Sequence, residues 1–139
     1  MGSREASIRR VVMARIGPGE DILVGLREAV ARHGIANGAI LGGLGSVRQS
    51  HFHVVTSSDL PPAESDPRSV QPLDICSITG VVIGGRVHAH IVFSDERNAF
   101  GGNLEEGCVA LTFAIVFVGD LGDIPLAGWD GFAGVVDAT

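Results

Sequence analysis

One stretch of this chain has the apolar spacing of a helix, and it limits the possible folds more than any other feature. Between residues 20 and 34, apolar side chains recur three or four positions apart. Glu20 and Asp21 would lie in the first turn, and Gly34 would end the helix. The other apolar segments are rich in β-branched residues and are separated by glycine and proline. We therefore expect one main helix against a mostly antiparallel sheet, which is an α+β fold.

Several apolar segments predict the strands of that sheet. Gly84-Gly85 lies between two of them and predicts a tight hairpin turn, so these two strands should pair antiparallel. Residues 57–71 contain three prolines and predict a loop. The predicted strands cover residues 7–16, 39–41, 47–56, 73–83, 87–93 and 109–118.

The length of 139 residues predicts one domain over residues 1–139, with a core over about residues 7–118. The glycine-rich tail over residues 119–139 contains Trp129 and other apolar side chains, so we expect it to pack on this subunit or on a neighbour. No apolar run approaches the roughly 18–20 residues of a membrane span, and the N-terminal residues do not form an export signal. We therefore expect a cytoplasmic protein with no membrane partner.

The formal net charge of −6 disfavours nucleic-acid binding, because non-specific affinity for nucleic acid comes largely from Lys and Arg. Four of the ten positive residues lie in the first 15 positions, so a local basic patch is the alternative. Nucleic acid is not the expected partner.

The two cysteines, Cys76 and Cys108, are too few and too far apart for a disulfide framework or a cysteine zinc site. Both have apolar or β-branched neighbours, which predict small buried side chains. A nucleophilic Cys108 beside a histidine is the alternative.

Two histidines one residue apart, His88 and His90, lie on a predicted strand, so both side chains point to one face. Zinc and other first-row divalent metals bind neutral imidazole and usually take three protein ligands when they do chemistry. Asn103, after Gly101-Gly102, is a nearby polar candidate but a poor ligand. The alternative is a polar pocket in which the histidines hydrogen-bond an anionic ligand or act as acid and base near pH 7.

A second pair with the same spacing, His51 and His53, lies on another predicted strand. If the two strands meet across the sheet or across a subunit interface, one of these residues could complete an all-imidazole site. The alternative is a pair of exposed histidines. Glu105 and Glu106 could orient an imidazole or act as a general base, or could be exposed charges.

The glycine cluster at residues 42–45 is not a dinucleotide-binding fingerprint, because a strand and not a helix is predicted after it. Close backbone packing explains such glycines best. The alternative is that Gly43 and Gly45, together with Gly101 and Gly102, line the pocket beside the histidines.

The order of these motifs resembles the PPC (plant and prokaryote conserved) domain family, over nearly the whole chain to about Gly119. The resemblance implies an α+β domain that forms a homotrimer, in which strands of adjacent subunits extend one another's sheets. It also implies a fold similar to α-acetolactate decarboxylase, in which a His-x-His pair and a later histidine bind catalytic zinc. The motifs that carry the resemblance are residues 19–23, 33–35, 42–46, 73–80, 88–90 and 101–109.

The chain departs from the family at one position. In bacterial and archaeal members the motif after the glycine pair commonly ends in histidine, which completes a three-histidine cluster for a metal such as zinc. Asn103 stands at that position here. The resemblance therefore leaves two expectations: zinc or another divalent metal at His88, His90 and Asn103, or no metal.

Three functions are consistent with these observations. The first is a trimeric protein that binds a metal ion or small ligand at a histidine pocket near a subunit boundary. The second is a lyase or hydrolase that uses the same site. The third is a DNA-binding regulator, which the net charge does not support. The chain also lacks the Arg-Gly-Arg-Pro AT-hook by which plant nuclear members of the family hold DNA.

Overall fold

The structure is a computed structural model that describes residues 1–134. Within these residues one helix packs against an antiparallel sheet, which confirms the predicted α+β fold. The elements are, in chain order, β1 (Arg10–Ile16), α1 (Ile22–Arg32), β2 (Asn37–Val55), β3 (Glu64–Ser65), β4 (Arg68–Ser69), β5 (Leu73–Ile83), β6 (Arg86–Ser94), β7 (Ala99–Leu104) and β8 (Val109–Asp120).

Helix α1 begins after Asp21, which caps it. The Asp21 carboxylate accepts a hydrogen bond from the backbone N–H of Val24 at 3.0 Å, satisfying a donor that a helix start leaves unpaired. Glu20 and Asp21 therefore precede the helix, and the expectation that they lie in its first turn is wrong. Gly34 follows the helix with φ of 62°, which glycine adopts without steric cost. The buried face of the helix consists of Ile22, Leu23, Leu26 and Val30.

Strand β2 connects the parts of the sheet, because it pairs with β8 and β5 along most of its length and with β7 near its end. The strand order is β1-β8-β2-β5-β6-β7, and the β2–β7 pairing closes a circuit of four strands, β2, β5, β6 and β7. Register shifts along the β2–β8 ladder mark bulges, which bend a long strand. Phe52, Phe93 and Phe100 come from three strands of this circuit and pack with ring centroids 5.9 to 6.1 Å apart.

The predicted hairpin is confirmed, since Gly84-Gly85 joins β5 to β6 with Ile83 opposite Arg86. The strand boundaries near other glycines differ from the prediction. Strand β2 runs unbroken through residues 42–45, and residues 99–104 form a strand that the sequence did not indicate. The predicted loop over residues 57–71 contains β3 and β4, which both pair with β2.

One face of the sheet leaves apolar side chains exposed. Residues opposite each other in an antiparallel ladder point to the same face. Met13 therefore lies beside Phe117, and Leu44 beside Ile115. Val81 is opposite His88, so the first histidine pair borders this face. We call it the outer face; its exposed apolar residues include Val11, Met13, Leu44, Val81 and Leu111.

The described part of the C-terminal tail, residues 121–134, packs against its own chain. Asn37 Nδ2 donates hydrogen bonds to the carbonyl oxygens of Gly122 at 2.9 Å and Ile124 at 3.2 Å. Leu126 is buried. Residues 135–139 of the predicted tail lie outside the described residues.

The two cysteines differ in burial. Cys108 is buried as expected, but Cys76 is exposed, so the expectation for Cys76 is wrong. Leu73 and Ile75 of β5 are buried, so the alternation of faces along the strand puts Cys76 on the exposed side. No helix in the described part of the chain is long and apolar enough to cross a membrane.

Candidate functional site

A groove of about 480 Å³ lies where β7 ends beside β6. In the β6–β7 ladder His90 is opposite Asn103, near the last residue of β7, so the start of β6 extends beyond its neighbour. Helix α1 and the segment after β7 line the groove with this part of β6. The polar side chains that line it are Arg27, His53, Arg86, His88, Asn103 and Glu105.

Asn103 lies between two histidines on neighbouring strands. It is opposite His90 on β6 and opposite His53 on β2, so the three side chains point to one face of the sheet. The structure therefore brings His53 beside the position where the third histidine was expected. His88 and His53 line the groove with Asn103, whereas His90 is not among its lining residues.

The second histidine pair is hydrogen-bonded to oxygen atoms. His53 Nδ1 donates to a carboxylate oxygen of Glu105 at 2.5 Å, and its Nε2 lies 3.8 Å from Glu64. His51 is buried, and its Nδ1 donates to the backbone carbonyl of Glu106 at 2.6 Å. His51 Nε2 lies 3.4 Å from Asp66. Of the two glutamates proposed to orient an imidazole, Glu105 does so through its side chain.

Glu106 has another partner, because its carboxylate accepts a hydrogen bond from Arg27 of α1 at 2.5 Å. Both groups are at least half exposed, so this ion pair contributes little to stability. The pair fixes the segment after β7 next to the helix at one side of the groove.

His88 interacts with the C-terminal tail. Its Nε2 lies 2.9 Å from Asp130 Oδ2, and Arg86 Nη2 lies 2.8 Å from the same oxygen. Since a carboxylate only accepts, the His88 Nε2 must carry the donated proton. The hydrogen bond from Arg86, followed by that from His88, lowers the pKa of Asp130 below its ordinary value. Neither Arg86 nor Asp130 was among the residues that the sequence singled out, because their pairing depends on where the tail folds.

The four glycines for which pocket lining was the alternative lie against neighbouring strands. A Cβ on Gly45, where φ is 144°, would fall 2.0 Å from the carbonyl oxygen of Phe113, and one on Gly101 would fall 1.9 Å from that of Ile91. A Cβ on Gly43 would fall 2.8 Å from Ile78 Cβ, and one on Gly102 would fall 2.5 Å from the carbonyl oxygen of His53. None of the four lines the groove. Their place in the structure fits the packing interpretation.

Cys108 is unsuited to nucleophilic catalysis. Burial raises the pKa of its thiol to about 11, so the group is protonated at neutral pH. Its Sγ donates a hydrogen bond to the backbone carbonyl of His51. The side chain behaves as the small buried group that the sequence predicted.

A three-ligand metal centre does not fit within the described part of one chain. Residues 1–134 contain no group of three His, Cys, Asp or Glu side chains placed to hold a metal ion. Asn103 occupies the middle of the row between His90 and His53. The Nε2 of His88 is protonated toward Asp130, and Arg86 brings a permanent positive charge to the same carboxylate. These features favour an anion over a cation beside His88.

The sequence profile of the Plants and Prokaryotes Conserved (PCC) domain matches residues 3–122. The chain belongs to the PCC domain family. This confirms the resemblance seen in the sequence motifs. The PCC match ends before Asp130, so the tail residue that contacts His88 lies beyond the matched region. No curated protein matches the chain.

Solved structures with a similar fold include the following three proteins. A metal-containing protein from Archaeoglobus fulgidus is 22% identical with a TM-score of 0.76, covering 87% of this chain and 86% of its own. A plant- and prokaryote-conserved (PPC) protein from Pyrococcus horikoshii is 23% identical with a TM-score of 0.73, covering 88% and 87%. A candidate DNA-binding protein from Bacteroides thetaiotaomicron is 19% identical with a TM-score of 0.72, covering 84% and 82%. At these identities the likeness shows a shared fold alone.

Proposed function

We propose that this PCC-domain protein binds a small ligand in the groove between β6, the end of β7 and α1, and that it does so as a homotrimer. The observation that carries the proposal is the convergence of His53, His88 and Asn103 on one groove of about 480 Å³. Pockets of this size that combine apolar walls with a few convergent polar groups are the usual sites for small ligands.

The groove provides both parts of such a site. Leu23 of α1 and Val87 of β6 supply apolar lining. Asn103 supplies an amide that can donate and accept hydrogen bonds, and Arg86 supplies a fixed positive charge. The imidazole of His53 is oriented by Glu105. A polar molecule of a few carbon atoms fits this chemistry.

The outer face supports the trimer. Met13, Leu44 and Val81 are 42 to 64% exposed in the single chain, and they lie among other apolar side chains on a continuous sheet surface. Extended apolar patches of this kind mark association sites, and closed symmetric oligomers cover them. Because His88 borders the outer face, assembly would bring the groove close to a subunit boundary.

Zinc or another divalent metal is the second candidate ligand. His88 and His90 point to the same exposed face, and one archaeal relative is described as metal-containing. Since residues 1–134 of one chain hold no such group of three ligands, this metal would lie between subunits. A metal-dependent lyase or hydrolase at this site would require that metal first.

A DNA-binding role is the weakest candidate. One relative is described as a candidate DNA-binding protein, but this chain has a net charge of −6. The absence of any mobility shift with duplex DNA at low salt would exclude this role.

The groove is tested by thermal denaturation with panels of small organic acids, phosphates, amines and zinc. We expect at least one class to raise the melting temperature of the wild type but not of His53→Ala. His33→Ala is the matched control, since His33 is an exposed histidine at the end of α1, away from this groove. Stabilisation of all three proteins alike, or of none, would contradict the proposal.

A further inference from the structure

We propose that Arg86 and His88 form a binding site for a small carboxylate, and that Asp130 of the tail occupies this site until such a ligand displaces it. This inference rests on the proposed function, because it names the chemical class of the ligand in the same groove.

Three N–H donors converge on one oxygen of Asp130. Arg86 donates from Nη2 at 2.8 Å and from Nε at 3.3 Å, and His88 donates from Nε2 at 2.9 Å, all to Oδ2. A guanidinium presents its donors in a planar fork that matches a carboxylate, and charge-assisted hydrogen bonds of this type are among the strongest in proteins. The cluster is therefore built to recognise an oxyanion.

The two side chains that donate these hydrogen bonds are more exposed than the Asp130 side chain. The side chains of Arg86 and His88 are 63% and 46% exposed, and both line the groove. The side chain of Asp130 is 17% exposed. A carboxylate in the groove can thus approach the donors without any movement of β6, and it would compete with Asp130 for the same hydrogen bonds.

The tail is attached firmly before Asp130 and lightly around it. Up to Leu126, hydrogen bonds from Asn37 and apolar burial hold the segment to the sheet. From there to residue 134 it forms turns with local hydrogen bonds, such as Gly131 N–H to the Gly128 carbonyl. A segment with few buried contacts opens locally at a small cost in free energy. Release of Asp130 therefore requires movement of a few residues and leaves the sheet intact.

The single tryptophan of the chain reports on this movement. Trp129 precedes Asp130, the Arg4 guanidinium lies over its ring at 5.5 Å, and the chain contains no tyrosine. Intrinsic fluorescence therefore comes from the segment that the ligand would displace. Release should shift the emission of Trp129 to longer wavelength, because the ring becomes more exposed to water.

The experiment titrates the full chain with sodium succinate, sodium phosphate or sodium chloride at equal ionic strength. We expect succinate to shift the Trp129 emission of the wild type and chloride to leave it unchanged. Asp130→Asn should start with shifted emission and bind succinate about tenfold more tightly by calorimetry, which corresponds to a site that Asp130 occupies nine times in ten. Arg86→Gln should lose succinate binding.

Two further variants control the result. Asp123→Asn removes an exposed carboxylate from the same segment, away from Arg86 and His88, and should behave as the wild type. Arg86→Lys keeps the charge and removes the planar fork of donors, so it should bind succinate more weakly than the wild type. This variant tests the site if Arg86→Gln does not fold. Circular dichroism verifies the fold of each variant.

The outcomes separate this inference from the proposed function. If Asp130→Asn binds succinate with the affinity of the wild type, the claim that the ligand displaces Asp130 is overturned. An emission shift that chloride reproduces overturns it as well. A response to phosphate without one to succinate overturns the carboxylate assignment. If succinate does not bind but another class stabilises the wild type and not His53→Ala, the proposed function stands and this inference fails. If no class binds, both fail.

Discussion

At the scale of single residues, Asn103 decides what the histidine row can bind. An imidazole nitrogen offers a lone pair to a metal, whereas an amide offers a carbonyl oxygen that first-row metals take less readily. Asn103 separates His90 from His53 on adjacent strands. The row therefore has two imidazoles with an amide between them.

We predict that Asn103→His creates a zinc site. The new side chain would lie directly between His90 and His53 and would give the row three imidazoles on one face, which is a sufficient donor set for zinc. Calorimetric titration with zinc should show at least about tenfold tighter binding than in the wild type, since the loss of even an outer-shell partner changes metal affinity by that much. Asn98→His is a control in the turn before β7 and should not change zinc affinity. Equal zinc binding by the wild type and Asn103→His would refute this role of Asn103.

The sequence identified the site through its histidines but not through their partners. The spacing of His88 and His90 indicates one face of a strand, because alternation is a local property. The pairing of His88 with Asp130 joins residues 42 positions apart, and that of His53 with Glu105 joins residues 52 apart. Contacts at such separations depend on the path of the whole chain, so no local pattern encodes them.

At the scale of elements, local signals predicted the helix and the hairpin, whereas glycine concealed β7 and the continuity of β2. Asp21 and Gly34 mark the ends of α1, and Gly84-Gly85 marks a turn whose two residues both have positive φ. In β7, by contrast, Gly101-Gly102 removes the side-chain alternation that indicates a strand. The same absence of side chains is what allows β7 to lie between β6 and β2.

We predict that Gly101→Ala opens the sheet at β7. Its Cβ would fall 1.9 Å from the carbonyl oxygen of Ile91, and backbone atoms cannot yield as a flexible side chain can. The free energy of unfolding, measured in urea, should fall by at least about 2 kcal/mol, the scale of an overpacked site. Ligand binding in the groove should weaken as well, since β7 carries Asn103.

Gly42→Ala is the matched control for that variant. Gly42 also lies in the sheet, but a Cβ added there would meet no atom of the described chain within 4 Å, and its φ is not positive. Its stability should stay within about 0.5 kcal/mol of the wild type. A Gly101→Ala variant as stable as Gly42→Ala would mean that β7 does not close the sheet as tightly as the structure indicates.

At the scale of the whole molecule, the outer face connects the sheet to assembly. We predict that Leu44→Glu dissociates the proposed homotrimer, because a carboxylate would have to be buried without a partner among Ile115 and its apolar neighbours. Sedimentation velocity should then give a single 14.4 kDa chain instead of three times that mass. Leu60→Glu, a change at an exposed leucine between β2 and β3, should sediment as the wild type does. Because His88 borders the same face, dissociation should also alter ligand affinity in the groove. A wild type that sediments as a single chain would refute the proposed homotrimer, and the groove would then bind its ligand within one subunit.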